Sequence, residues 1–199
     1  MSSFLQYKLV LLGELAVGKL LIVHRFVKNT FDDMRELTIG AAFLTQLVTL
    51  SDGTTVKFEI WDTAGQERYK SLAPMYYRHL NAALCVYDVT LAALFERAKD
   101  WIEELHKLAP KDIVIALVGN KNDLDGQQVD QATVEEYVAT LPGQVIVTTC
   151  SAKTGSGVQE IFTAIAEKLP KEAPLLLLPR GAQLGVNLDR RPQPQLGCC

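Results

Sequence analysis

A chain of 199 residues with 20 basic and 23 acidic side chains carries a formal charge of −3. It is long enough for one sizeable core and too acidic for nucleic acid as its main partner. No apolar run approaches the roughly 18 residues of a membrane span. Met1 to Lys8 lacks the cationic start, apolar run and small-residue cleavage site of a secretion leader.

Tyr7 to Leu12 predicts a buried strand, and Lys19 to Val27 a helix with Ile22, Val23 and Phe26 facing inward. Between them runs Gly13-Glu14-Leu15-Ala16-Val17-Gly18-Lys19-Leu20. Strand, glycine-bounded loop and helix in that order are what a phosphate-binding loop needs. Gly13 turns the chain off the strand tip, and Gly18 lets backbone amides approach an anion. Lys19 reaches the terminal phosphates beside the positive end of a helix. The pattern then calls for Ser or Thr to place a hydroxyl on Mg²⁺, and here stands Leu20.

Lys28 to Gly40 is polar and reads as an exposed loop. Phe43 to Leu50 and Val56 to Trp61 read as strands around the turn Ser51-Asp52-Gly53. Ala82 to Val89 is apolar throughout, as a central strand covered on both faces would be. Leu94 to Leu108 has helical period and stops before Pro110. Ile113 to Gly119 and Gln144 to Thr149 predict strands, and Gln131 to Thr140 and Val158 to Leu169 helices. This alternation implies an α/β fold, a mostly parallel sheet with helices on both faces. Residues 1–170 form the folded domain in this reading. From Lys171 to Cys199, Pro, Gly, Gln and Arg dominate and predict a disordered tail with a surplus of two positive charges.

Ligands of such a sheet sit beyond the C-terminal strand ends, and polar motifs recur there. After Trp61 come Asp62-Thr63-Ala64-Gly65-Gln66-Glu67: Asp62 can hold Mg²⁺ through water, Gly65 can offer its amide to a γ-phosphate, and Gln66 can orient an attacking water. After Gly119 come Asn120-Lys121-Asn122-Asp123. The Asp123 carboxylate can accept from N1 and the 2-amino group of guanine, a pairing adenine cannot supply. Asn120 would tie this loop to the phosphate loop, and the stem of Lys121 would cover the base. Ser151-Ala152-Lys153 follows the last strand, where the Ala152 amide can reach guanine O6. Cys85 and Cys150, in apolar strand-like stretches, are read as small buried hydrophobes in a reduced, cytosolic setting. His24, His79 and His106 have no carboxylate or cysteine at catalytic spacing and are read as surface residues.

From Tyr7 to Leu169 the chain resembles a small GTPase of the Ras superfamily, and within it the Rab family. The guanine-nucleotide motifs stand in order, with Rab-type stretches at Ile39-Gly40-Ala41-Ala42-Phe43, Lys57-Phe58-Glu59-Ile60-Trp61, Arg68-Tyr69-Lys70-Ser71-Leu72 and Tyr76-Tyr77-Arg78. The wording is most similar to the early-endosomal subgroup. The resemblance implies a P-loop G domain built on a six-stranded, mostly parallel sheet. It also implies a switch that hydrolyses GTP to GDP with Mg²⁺ and recruits effectors in endosomal trafficking and membrane fusion. Ala16 and Lys153 then join the nucleotide-binding set, Thr38 contacts Mg²⁺ and γ-phosphate, and Phe31 packs edge-on against the base. Phe43, Trp61 and Tyr76 match the aromatic triad that effectors read, although three core residues would fit the same spacing. Cys198 and Cys199 match the double-cysteine ending that takes two geranylgeranyl chains, enough for stable anchoring where one is not. The implied partners are an exchange factor, an activating protein, a GDP-dissociation inhibitor, an escort protein and GTP-dependent effectors. The implied place is the cytoplasmic face of endosomal membranes, with a cytosolic pool.

The chain departs from the family selectively. Leu20 and Leu21 stand where Ser or Thr and a small polar residue belong, and Leu15, Leu37 and Leu94 stand at positions usually serine in close relatives. Leu94 in particular is read as a helix start that wants a capping hydroxyl. With 29 Leu against 6 Ser, and leucine also filling true core positions such as Leu11 and Leu84, the excess falls on serine-like sites. Two accounts follow. In one, a GTPase relative lost its Mg²⁺ hydroxyl and persists as a non-catalytic interaction protein. In the other, which the selectivity favours, a leucine codon is read as serine in the cell of origin.

Overall fold

The computed structural model describes residues 4–32, 41–63 and 76–171. Thr38, Gly65, Gln66, Leu37, Cys198 and Cys199 lie outside the described residues. In order come β1 (Leu5–Leu12), α1 (Lys19–Lys28), β2 (Ala41–Thr49), β3 (Thr55–Thr63), β4 (Ala82–Asp88), α2 (Ala92–Leu108), β5 (Val114–Asn120), α3 (Gln131–Ala139), β6 (Val145–Thr149) and α4 (Val158–Lys168). The strands make one six-stranded sheet in the order β2-β3-β1-β4-β5-β6. Only β2 runs antiparallel, joined to β3 by the turn at Ser51-Asp52-Gly53, where Leu50 N–H bonds the Thr54 carbonyl at 2.8 Å.

Alternation along the central strands splits the interior into two layers. In β1, Leu9 and Leu11 face one side, with Leu84 and Val86 of β4, and meet Ile22, Val23 and Phe26 of α1 and Phe162 of α4. Val10 and Leu12 face the other, with Cys85 and Tyr87, and meet Phe95, Trp101 and Ile102 of α2 and Val134 of α3. Because both faces are covered, these strands are apolar without a break. Phe26 stacks on Phe162 with centroids 3.7 Å apart and so locks α1 to α4. Cys85 and Cys150 are fully buried, and desolvation pushes each thiol up to about 12.

Several elements differ from the sequence expectation. β1 begins two residues early because β3 supplies partners down to Leu5↔Val56. β5 starts at Val114, since Ile113 spends its N–H on the Pro110 carbonyl. His24 is buried, 7% exposed, on the inward side of α1, and is not a surface residue; four-residue spacing on a short helix does not settle which flank a neighbouring loop covers. α2 begins at Ala92, so its N-cap is Leu91 and not the residue before Phe95. The Ala92 N–H finds the Gln128 side-chain carbonyl at 3.1 Å, a partner 36 residues away that local sequence does not reveal. Leu94 is half-buried against both core layers.

Leu91 is 48% exposed, extended in backbone, and has no side-chain atom to cap the helix. A hydroxyl there can accept from the Ala93 amide, since the Leu94 amide already bonds the Leu91 carbonyl at 2.9 Å. Leu91→Ser is therefore expected to stabilise the domain by about 1 kcal/mol, seen as a Tm rise of roughly 2–4 °C. An unchanged or lowered Tm in calorimetry would show that this end is already satisfied.

Candidate nucleotide-binding site

Strand register assembles the site. Leu11↔Asp62 sets the end of β3 beside the strand that feeds the glycine loop. Asp88↔Asn120 and Gly119↔Thr149 bring the ends of β4, β5 and β6 to the same edge. Residues far apart in sequence thus converge at the C-terminal edge, where a doubly wound sheet binds its ligands.

The loop from Gly13 to Gly18 has little room for side chains. A Cβ on Gly13, at φ 142°, would collide with the Val86 carbonyl oxygen. Gly18 is the left-handed N-cap of α1 (φ 91°), and no side chain caps the helix. The first amides of α1 are left for an anion. Ala16 is also left-handed, at φ 60°, a conformation that costs a non-glycine residue energy and concentrates at functional sites.

Lys19 is 7% exposed, and its ammonium donates to the Gly13 and Glu14 carbonyls, each at 2.9 Å. Desolvation lowers its pKa, while the charges of Asp62 and Glu14 pull it back up. A buried ammonium in a cage of loop carbonyls, under an uncapped helix end, is a site that an anion completes. The residues present therefore fit a phosphate group. For Mg²⁺ they fit in part: Asp62 is fully buried beside the loop, but Leu20, half-buried at the second residue of α1, has no side-chain oxygen.

At the other end of the site Asn120 is the knot. It is 1% exposed, its Nδ2 donates to the Val17 carbonyl at 2.9 Å, and its Oδ1 accepts from the Ala152 amide at 3.1 Å. The phosphate loop and the loop after β6 are thereby tied to one side chain. The Ala152 amide, which the sequence reading aims at a base oxygen, is engaged by Asn120 here. Ser151 is buried and folds its own loop, with Oγ accepting from Thr154 N–H at 3.0 Å. Lys121 sits at φ 66°, and its ammonium meets the Asp88 carboxylate at 2.7 Å. Burial works to raise the Asp88 carboxyl, but hydrogen bonds from Lys121 and Thr90 prevail and hold it below its ordinary value. Asp123 and Lys153 are exposed at the rim. Phe31, expected against the base, is half-buried and packs on the core layer of α1.

Two residues of the site escaped the sequence reading. Asp88, at a strand end like the other motifs and followed by Thr90, carried a position signal that could have found it. Arg25 carried none: it is one cation on an amphipathic helix, yet its guanidinium holds the carbonyls of Ala152 and Lys153. On the sheet's outer face Phe43, 52% exposed, meets Trp61 edge-on at 5.0 Å, and Trp61 meets Tyr76 at 6.3 Å. A cavity of about 800 Å³ bounded by His106, Ile113, Val145 and Lys168 lies at the opposite ends of β5 and β6, away from every motif.

A glycine-bounded loop over a buried lysine, joined through one asparagine to a second loop at the same sheet edge, defines a P-loop nucleotide-binding domain. The comparisons narrow this. A model of the Ras family matches residues 8–171. The GTP-binding protein ypt5 of Schizosaccharomyces pombe (strain 972) is 56% identical over 196 residues, covering 96% of this chain and 92% of that protein. The chain belongs to the Ras family, as a small GTPase of the Rab type. It is a switch that binds guanine nucleotide and hydrolyses GTP.

Proposed function

We propose that this switch works in endosomal trafficking, cycling between the cytoplasmic face of endosomal membranes and a cytosolic pool. The observation that carries the reading is the joined site: Lys19 buried beneath the glycine loop, with Asn120 binding that loop to the base end. In it Lys19 steadies the terminal phosphates, Asp123 selects the base, and Gln66, assigned by resemblance, orients the attacking water. Mg²⁺ would supply neutralisation of the phosphate charge there. Asp62 and Thr38 are the residues that would hold it. Hydrolysis of this class is slow without an arginine from a partner, so an activating protein is part of the cycle, alongside an exchange factor and effectors. The exposed Phe43, leaning on Trp61, supports an effector surface on the β2–β3 face. Nucleotide affinity and hydrolysis of the purified chain, with and without Mg²⁺, test this reading; a protein indifferent to guanine nucleotide would end it.

The reading also assigns serine to position 20 of the native polypeptide, through decoding of a leucine codon as serine. The exposed Leu15 in the phosphate loop and the exposed N-cap Leu91 support it, since both sit where a hydroxyl serves and an isobutyl group does not. The second reading, a non-catalytic interaction protein, rests on Leu20 alone.

Residues 1–170 are assigned to the G domain and 171–199 to a tail that carries the anchor. No helix among the described residues is long and apolar enough to cross a membrane. Attachment is assigned to prenyl chains on Cys198 and Cys199, delivered by an escort protein and extracted by a GDP-dissociation inhibitor. Substituting both with serine is expected to move the protein from the membrane pellet to the soluble fraction of cells, with nucleotide binding unchanged. Continued sedimentation with membranes would transfer the role to the tail or a partner.

A further inference from the structure

We infer that Arg25 is a positioning residue for the base end of the site, setting how fast the nucleotide leaves and how sharply its 6-oxo group is sensed. Arg25 lies on the half-buried flank of α1, seven residues from the Gly18 N-cap. Its Nε donates to the Ala152 carbonyl at 2.9 Å and its Nη2 to the Lys153 carbonyl at 2.6 Å. Its Nη1 donates to the Asn29 carbonyl at 3.2 Å, so the guanidinium is also braced by the C-cap of its own helix. The planar fork reaches two consecutive carbonyls 127 and 128 residues away through separate N–H groups held in fixed relative geometry, which a lysine ammonium lacks.

The consequence follows from what the clamp holds. Residues 151–157 make a tight loop on the end of β6, closed by Ser151 N–H to the Ser156 carbonyl and Gly155 N–H to the Ser151 carbonyl. Its position in the site is set by two outside ties. One is Asn120, from the sheet, on the Ala152 amide; the other is Arg25, from α1, on the carbonyls of the next two peptide units. Gly155 packs beside the Arg25 stem, where a Cβ would meet Cδ at 3.4 Å. Since α1 begins with Lys19, Arg25 makes one helix serve both ends of the nucleotide. A tilt of α1 that loosens the phosphates also releases the loop beneath the base. Loss of charge-assisted bonds of this kind corresponds to about tenfold to hundredfold in an equilibrium or a release rate.

The inference rests on the guanine-site reading, and the test separates the two. Release of GDP is compared with release of 6-thioguanosine diphosphate, which keeps N1–H and the 2-amino group and replaces only the 6-oxo oxygen with sulfur, a larger and weaker acceptor. The full chain is used, with Mg²⁺ chelated so that position 20 does not bear on the result. The parent is expected to lose the analogue faster than GDP. Arg25→Ala is expected to release GDP at least about tenfold faster and to discriminate much less between the two ligands. Arg25→Lys, which keeps the charge but loses the fixed fork and the Nη1 bond to Asn29, should recover part of that discrimination. Equal acceleration of both ligands in Arg25→Ala, with the parent's discrimination kept, or no acceleration at all, would reduce Arg25 to a packing residue. A parent that does not distinguish the two ligands would instead overturn the assignment of the 151–153 loop to the base, and this inference with it.

Discussion

Leu20→Ser is expected to raise Mg²⁺-dependent GTP affinity by at least about 100-fold, the scale on which even indirect supporters of a metal site act. Position 20 follows the buried Lys19 in the first turn of α1, the helix whose N-terminus has no side-chain cap. Mg²⁺ demands near-ideal octahedral oxygen ligation at short distance, and a leucine offers it none while occupying the space. The fully buried Asp62, which the β1–β3 register sets beside the same loop, supplies only one side of that shell. GDP and GTP affinities with Mg²⁺ present and with it chelated read the effect. A variant whose affinity gains no Mg²⁺ dependence would show that position 20 is not a metal position. Mass spectrometry of native protein decides the codon account separately, on the tryptic peptide 20–25. Serine at its start means the switch is intact in the cell; leucine there moves the non-catalytic reading to first place.

Asp123→Asn is expected to abolish guanine preference by roughly three orders of magnitude or more. A site built to pair with a polar edge rejects the ligand lacking it by about 10⁴–10⁵. Xanthine nucleotides should gain, because the new amide can donate to their extra oxygen. The carboxylate is held out at the rim by a stiff support: Asn122 N–H bonds the Cys150 carbonyl at 3.1 Å, and the left-handed Lys121 before it is anchored on Asp88. The substitution changes the chemistry at an exposed tip and leaves that support in place, so the fold should be unaffected. Competition between GDP and xanthosine diphosphate measures the shift; undiminished guanine selectivity would remove Asp123 from this role.

The two core layers were legible from residues alone because a strand alternates sides with a period of two. Leu9 and Leu11 against Val10 and Leu12 follow from that alternation, while which helix covers which face is seen in the fold. The phosphate loop was legible for a similar reason: Gly13, Gly18 and Lys19 act within one turn of one another, so their spacing states their geometry. The motif ends at Asn120 and Ser151 were recognisable as polar breaks after apolar strands.

What sequence could not carry was any property owed to a partner distant along the chain. The helix that carries Trp101 starts at Ala92, whose first amide Gln128 satisfies, and this makes Leu91 and not a later residue its N-cap. His24 is inside because of what packs over its flank of α1, and Lys121 is left-handed and firm because Asp88 lies one strand over. Arg25 reads as an ordinary surface cation until α4 and β6 bring the carbonyls of Ala152 and Lys153 within its reach. Local chemistry and period determined the elements, the layers and the phosphate cradle of this protein. Only the tertiary structure decided how the phosphate end and the base end are coupled, because hydrogen bonds between distant segments depend on where strand register and helix packing set the backbone.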